Sequence, residues 1–435
     1  MSAQHFTGEI DIEQLVQQFG SPLFVFSSKM LRQNIRSMQL AFQLRYPNTQ
    51  LIWPYKTNYL AAICELIHEE GLGAEIVSEM EYRKAARHGF TTSQLVFNGP
   101  YKQPETLRQV ILDGGLINID HSKEIGDVET LARTLDLTPT VGVRLNIDAG
   151  GDPNWRRFGF RLDDGEAEDA IARIVDGGLL KVCGLHAHVG TSITDVTVYQ
   201  QLVRKMVECA DRIRDQHGCQ IDILNIGGGF ASSCLPKHCP NDTGIPSHDD
   251  YAAAICSVLN ETTAHDRQPK LVIESGRALI DDAGVLITTV VAAKSMPGGR
   301  PCYVVDAGVN LLHTATTHQL SVSPCKLALK SHTATNAGQT ESLVVGPLCM
   351  NTDIVSENAL LPTVQRGSRL IVSPAGAYNT SLWSQFIQHR PRVVLIDESG
   401  QPHVIRNAED NSDIDRREQR LPSRISLGQR GDASS

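Results

Sequence analysis

The residues of this 435-residue chain best suited to chemistry share one position, just after a short apolar run. Lys56 ends LIWPYK, Glu75 lies within AEIV, and Asn98 and Gly99 end LVFNG. Asp120 and His121 follow LINI, Arg144 and Asn146 end VGVRLN, and His186 and His188 end VCGLHAH. Gly227, Gly228 and Gly229 follow ILNI, and Glu274, Gly276 and Arg277 end LVIESGR. A lysine beside Trp53 and Tyr55, partly removed from water, should have a lowered pKa and can form an imine. Successive glycines offer backbone N–H groups to an anion such as a phosphate. A buried carboxylate at Glu274 can hold a pyridine nitrogen protonated, and the His188 ring can stack on another ring. Each residue alone also fits a plain reading: a lysine reaching solvent, a tight turn, a salt bridge from Glu274 to Arg277, a hydrogen-bonded core histidine. Together they describe a pocket for pyridoxal 5′-phosphate.

The elements that must hold these residues follow from the alternation of short apolar and longer amphipathic segments between residues 28 and 280. Strands are predicted at Leu51–Tyr55, Ala74–Val77, Leu95–Phe97, Gly115–Ile119, Thr140–Leu145, Val182–His188, Ile221–Ile226 and Lys270–Ile273. Helical patterns such as Tyr59–Glu70, Glu79–Arg87 and Val198–Gln216 separate them, which argues for parallel strands with helical crossovers. The fold class is therefore α/β, an eight-stranded TIM-type barrel, which carries its chemistry at the C-terminal ends of its strands. Beyond residue 280 the pattern turns β-rich, with runs such as PCYVVDAG, SRLIVSPAG and PRVVLID. Residues 281–405, joined by 1–27 through the strand Leu23–Phe26, are expected to form an antiparallel β domain. The charged tail from about Arg406 to 435 reads as disordered.

Hydrophobic residues are 41% and charged residues 20% of the chain, as in an ordinary globular protein. No stretch reaches the ~18 apolar residues of a membrane span, and MSAQHFTGEIDIEQ, without a basic start followed by an apolar run, is not expected to act as a signal peptide. A net charge of −9 argues against nucleic acid as a partner. The 10 cysteines lack a repeating spacing and read as reduced thiols of a cytoplasmic protein, and Cys234, His238, Cys239 and His248 read as loop residues rather than a metal site.

Several stretches also match a known family. WPYKTN around Lys56, AEIVSEMEYRKAARHGF, GLHAHVGTS at 184–192, NIGGGF at 225–230, ESGRAL at 274–279, DAG at 306–308, GPLCMNTD at 346–353 and GAYNTS at 376–381 occur in that family's order. The chain resembles the barrel-type pyridoxal-phosphate decarboxylases, of which diaminopimelate and ornithine decarboxylases are members. The resemblance implies an alanine-racemase-like barrel and a head-to-tail homodimer with shared active sites. It implies that Lys56 joins the cofactor covalently, that His188 stacks on its ring and that Glu274 pairs with its nitrogen. Gly227, Gly228 and Gly229, with the backbone at Gly276 and Arg277, would bind the phosphate, and Glu75 and Ser192 would also meet the cofactor. Cys349 and Tyr378 would reach a neighbouring subunit's site, Cys349 to act on the reacting carbon and Tyr378 to help hold phosphate. Arg144, Arg277, His313, Met350 and Asp353 would face the substrate.

The departures from the family fall on substrate recognition. Met350 stands where diaminopimelate decarboxylases carry glutamate and ornithine enzymes aspartate, and methionine cannot pair with a distal ammonium. DAGVNLLHTATTH lacks the family's arginine after DAG and has His313 near that position. The expected reaction is therefore decarboxylation of another amino acid or conjugate, in specialised metabolism such as siderophore or antibiotic assembly. Ordinary diaminopimelate decarboxylation is the alternative. A racemase fits less well, because GPLCMNTD and GAYNTS favour decarboxylation. A silent regulatory protein of the same fold should have lost Lys56, His188, Glu274 or Cys349, and all four are present.

Overall fold

A computed structural model describes residues 11–90, 94–240, 243–263, 268–325 and 338–419. Its strands are β1 (Leu23–Ser27), β2 (Thr49–Pro54), β3 (Gly73–Ile76), β4 (Leu95–Phe97), β5 (Leu116–Ile119), β6 (Thr140–Asn146), β7 (Phe160–Arg161), β8 (Lys181–His186), β9 (Ile223–Asn225) and β10 (Lys270–Ile273). A second set comprises β11 (Gly284–Ser295), β12 (Pro301–Val305), β13 (Ser321–Pro324), β14 (Thr340–Val345), β15 (Ile354–Leu361), β16 (Arg369–Ser373), β17 (Val393–Ile396) and β18 (Pro402–Arg406).

Strands β2 to β6 and β8 to β10 pair in parallel in the order β5-β4-β3-β2-β10-β9-β8-β6, and β5 pairs with β6 to close the ring. All eight predicted strands are present, with ends shifted by a residue or a few. Ile52, Val96 and Val272 form a small cluster with Leu116 and Ile223, one side chain from each of five strands. Side chains from opposite sides of a closed sheet meet only inside it, so this cluster is the barrel's plug. The main core lies outside, where Phe42, Ile63, Val110, Val128, Ile171, Leu202 and Ile255 from successive helices pack on the sheet. Helix starts follow side-chain chemistry: Ser78 accepts from the Glu81 N–H to open Glu79–Arg87, and Ser247 with Asp250 forms a capping box before His248–Thr262.

The second domain is a sheet in the order β15-β14-β12-β11-β1-β17-β18, with β16 joining β11 to β13. Strand β1 lies at its centre, between β11 and β17, as the pattern at Leu23–Phe26 predicts. The sheet is mixed rather than wholly antiparallel, because β1–β17 and β12–β14 run parallel. Among the described residues, ordered structure continues past Arg406. Glu409 accepts from Arg390 Nη1 at 2.8 Å and Arg406 Nη2 at 2.9 Å, and a short helix spans Asn411–Asp415. Two arginines thus hold Glu409 in the first part of the segment expected to be disordered, and residues 420–435, its end, lie outside the described part. No described helix is long and apolar enough to cross a membrane.

Candidate active site

The barrel places the chemistry-bearing residues on one rim. Lys56 sits in the turn after β2, Glu75 in β3, Asn98 after β4 and Arg144 in β6. His186 ends β8, Gly227–Gly229 follow β9, and Glu274 follows β10. They surround a cavity of about 250 Å³ whose wall includes Lys56, Glu75, Asn98, Arg144, His186, His188, Gly228, Gly229, Glu274, Gly276, Arg277 and Tyr378.

Two carboxylates and an amine organise the floor. Lys56 Nζ donates to Glu75 Oε2, and its side chain is 42% exposed, toward the cavity that it lines. Asn98 Nδ2 donates both to Glu75 Oε1 at 3.0 Å and to Glu274 Oε1 at 2.8 Å, and Asn225 Nδ2 donates to Glu274 Oε1 at 2.7 Å. Burial opposes charge on Lys56, but Glu75 and Glu274 overcome it and raise the ammonium above its ordinary pKa. This reverses the expected lowering: apolar neighbours favour a neutral amine, and two facing carboxylates outweigh them. Burial raises the Glu75 pKa. Glu274 is held below the usual carboxylate range: burial opposes this, and His186, Lys56 and Asn98 prevail. His188 is neutral, its pKa pushed down to about 3 by burial and then by the charges of Arg144 and Lys56.

The glycine turn works differently from the expectation of three free N–H groups. Gly227 N–H donates to Asn225 Oδ1 at 3.0 Å and Gly228 N–H to His188 Nδ1 at 3.2 Å. The Gly229 N–H, on the cavity wall, keeps no partner among the described residues. Gly228 therefore sets the His188 ring, which also meets the edge of Trp155 at 4.5 Å and 84°. A Cβ on Gly228 would lie 2.2 Å from the Glu274 carbonyl oxygen, and one on Gly276 2.2 Å from Thr57 Oγ1, so both close approaches require glycine.

The β domain supplies one wall. Tyr378 N–H donates to the Thr57 carbonyl at 2.8 Å, and Ser381 Oγ donates to the Lys56 carbonyl at 2.7 Å. Tyr378 thus completes its own chain's cavity, with the Arg277 guanidinium 5.0 Å from its ring, instead of reaching a neighbour's. Arg144 reaches the cavity while donating to Asp120 Oδ1 at 3.3 Å.

Other expected site residues lie elsewhere. Ser192 is buried at φ 51° off the wall, and its neighbour Thr191 lines the cavity. Asp353 is 3% exposed and does not face the cavity. Its carboxylate accepts from the N–H groups of Val309 at 2.8 Å and Leu348 at 2.7 Å, which ties the DAG and GPLCMNTD segments together. Cys349, Met350 and His313 are exposed and do not line this cavity. Asn98, the amide shared by both carboxylates, is the residue whose role the sequence reading missed; its place at the end of LVFNG was the available signal.

These residues fit pyridoxal phosphate. An amine, an ionised carboxylate with two amide donors and a neutral imidazole surround one cavity. An open N–H lies beside an arginine and a tyrosine where an anion needs them.

Comparison with known proteins agrees. Residues 32–281 match the family described as pyridoxal-dependent decarboxylase, pyridoxal binding domain. The diaminopimelate decarboxylase of Bacillus subtilis is 28% identical over 421 residues, covering 94% of this chain and 93% of the relative. That of Actinosynnema pretiosum subsp. auranticum is 30% identical over 422 residues, covering 94% and 92%. The crystal structure of the M. jannaschii diaminopimelate decarboxylase in co-complex with L-lysine superposes with a TM-score of 0.84 at 26% identity, over 95% of each chain. With both its domains matched and the cofactor's partners assembled on one rim, this chain belongs to the pyridoxal-dependent amino-acid decarboxylases.

Proposed function

We propose that the chain removes the α-carboxylate of diaminopimelate. The observation that carries this reading is similarity to diaminopimelate decarboxylases across barrel and β domain alike, together with the amine, carboxylates and imidazoles gathered around one cavity. Bound pyridoxal phosphate supplies an electron sink for the charge left when carbon dioxide departs. The chain's residues prepare the site. Lys56 must shed a proton before its amine can bond to a carbonyl, and Glu75 Oε2 is the acceptor already in contact. Glu274 would offer an ionised oxygen to the cofactor's ring nitrogen, and His188 a neutral ring face.

Cys349 and Met350 enter this scheme through a second copy of the chain. Both are exposed in one chain and lie on the β domain. A head-to-tail pair would bring Cys349 to the α-carbon as proton donor.

A second reading, an amino acid or conjugate with a different distal end from specialised biosynthesis, rests on Met350 and His313. Neither offers the charged partner that a distal ammonium or carboxylate needs. Carbon dioxide release from meso-diaminopimelate, with lysine as product, separates the two. Turnover with kcat near ~10 s⁻¹, an ordinary enzyme rate, supports the first reading. No release from diaminopimelate, with release from another amino acid, replaces it with the second. Loss of the aldehyde-derived absorption band near ~420 nm in Lys56→Ala tests the cofactor anchor under either reading.

A further inference from the structure

Asp281 lies behind the cavity wall, 1% exposed, and joins three segments that each carry a site residue. Its Oδ2 accepts from Arg277 Nη1 at 3.0 Å and from Ser232 Oγ at 2.7 Å. Its Oδ1 accepts from the Ala377 N–H at 3.1 Å, and its carbonyl accepts from the Gly376 N–H at 3.1 Å. The first contact fixes Arg277, the second the chain just after Gly229, and the last two the turn that carries Tyr378. The fit is close: a Cβ on Gly376 would lie 2.0 Å from the Ile280 carbonyl oxygen. Arg277 is itself buried, with its Nε unpartnered among the described residues, so the Asp281 carboxylate sets the direction of its guanidinium.

We propose that Asp281 is a positioning residue for the anion end of the cavity, aligning Arg277, Gly229 and Tyr378 on the cofactor's phosphate without touching it. Two effects of this carboxylate oppose each other. As a negative charge near the site it repels a phosphate, and as a three-way acceptor it holds the donors in place. A charge already paired with a buried guanidinium projects little field beyond the pair, whereas a misdirected arginine loses a charge-assisted hydrogen bond outright. Positioning therefore dominates.

The test compares pyridoxal phosphate with pyridoxal, which has the same aldehyde and ring but no phosphate, on the cofactor-stripped full chain. Asp281→Asn keeps the shape and an acceptor for Ala377. It is expected to raise the Kd for pyridoxal phosphate about tenfold or more while pyridoxal stays within about twofold of wild type. The neighbouring Asp282→Asn, whose carboxylate meets Ser233 instead, should leave both ligands within about twofold. Equal weakening of both ligands by Asp281→Asn would reduce Asp281 to a structural residue. Pyridoxal phosphate binding as tight as wild type or tighter would show it acting only as an opposing charge. If Asp281→Asn does not yield folded protein, Ser232→Ala removes one donor and leaves the charge. A selective loss of about threefold for pyridoxal phosphate supports the proposal, and an unchanged ratio of the two affinities overturns it. The inference rests on the cofactor assignment, whose own failure would appear differently, as no binding of either ligand by wild type.

Discussion

Around the cavity, single side chains decide protonation. Glu274 is ionised because His186, then Lys56 and the Asn98 amide, outweigh burial, so Glu274→Gln should fold normally yet lower kcat by about 10²-fold or more, with the cofactor's ring nitrogen then lacking its partner. Steady-state kinetics with the assigned substrate read this directly. His318 makes a second prediction, away from the chemistry. Burial, then Arg277 and His238, push its pKa down to about 3. The folded protein keeps His318 neutral while the unfolded chain protonates it near its ordinary value, so its stabilising contribution is full above about pH 6.5 and is lost as pH falls toward 3. The gap in melting temperature between wild type and His318→Gln should therefore shift against wild type between about pH 6.5 and 5. Lys56, His188 and Glu274 were legible in the sequence because strand ends announce themselves. The direction of the Lys56 shift was not, since it depends on two carboxylates 19 and more than 200 residues away that only the closed barrel brings to it. Ser192 and Thr191 could not be told apart for a related reason: past the end of β8 no period says which side chain turns inward.

The strand-to-loop turns are the elements with least tolerance. Gly228→Ala sets a methyl against the Glu274 carbonyl oxygen, a backbone atom that cannot rotate away. It should destabilise the chain by on the order of 3 kcal/mol and release His188 from its Gly228 N–H. A thermal melt and a pyridoxal phosphate titration measure the two effects separately. Alternating apolar strands and amphipathic helices made the barrel readable, for this periodicity leaves few topologies open. The β domain was readable only as strands. Pairing direction does not show in a run such as PRVVLID, so the parallel β1–β17 and β12–β14 contacts were invisible. The two backbone N–H groups that Asp353 caps were likewise not legible, because a carboxylate in a motif looks the same whether it faces a ligand or ties two loops together.

For the whole molecule, the proposal that Cys349 reaches the cavity of a second copy makes a prediction about mixed pairs. Lys56→Ala and Cys349→Ala should each be nearly inactive alone. Mixed and allowed to exchange, they should recover about one quarter of wild-type activity, because half the pairs are mixed and each holds one intact site. Size-exclusion chromatography with light scattering tests the pairing itself; recovery of no activity despite exchange would mean that the sites are not shared, and full activity of Cys349→Ala alone would place Cys349 outside the chemistry.

Strand β1 bears on how such a chain comes to be made. It leaves the ribosome ahead of the barrel, and its two neighbours, β11 beginning at Gly284 and β17 ending at Ile396, follow only after the whole barrel has been synthesised. At roughly 5–20 residues per second, Leu23, Phe24, Val25 and Phe26 wait on the order of tens of seconds for cover. The nascent chain thus carries an unpaired apolar strand until the barrel's sequence has been synthesised, and the barrel has time to close before the sheet that packs beside its rim exists.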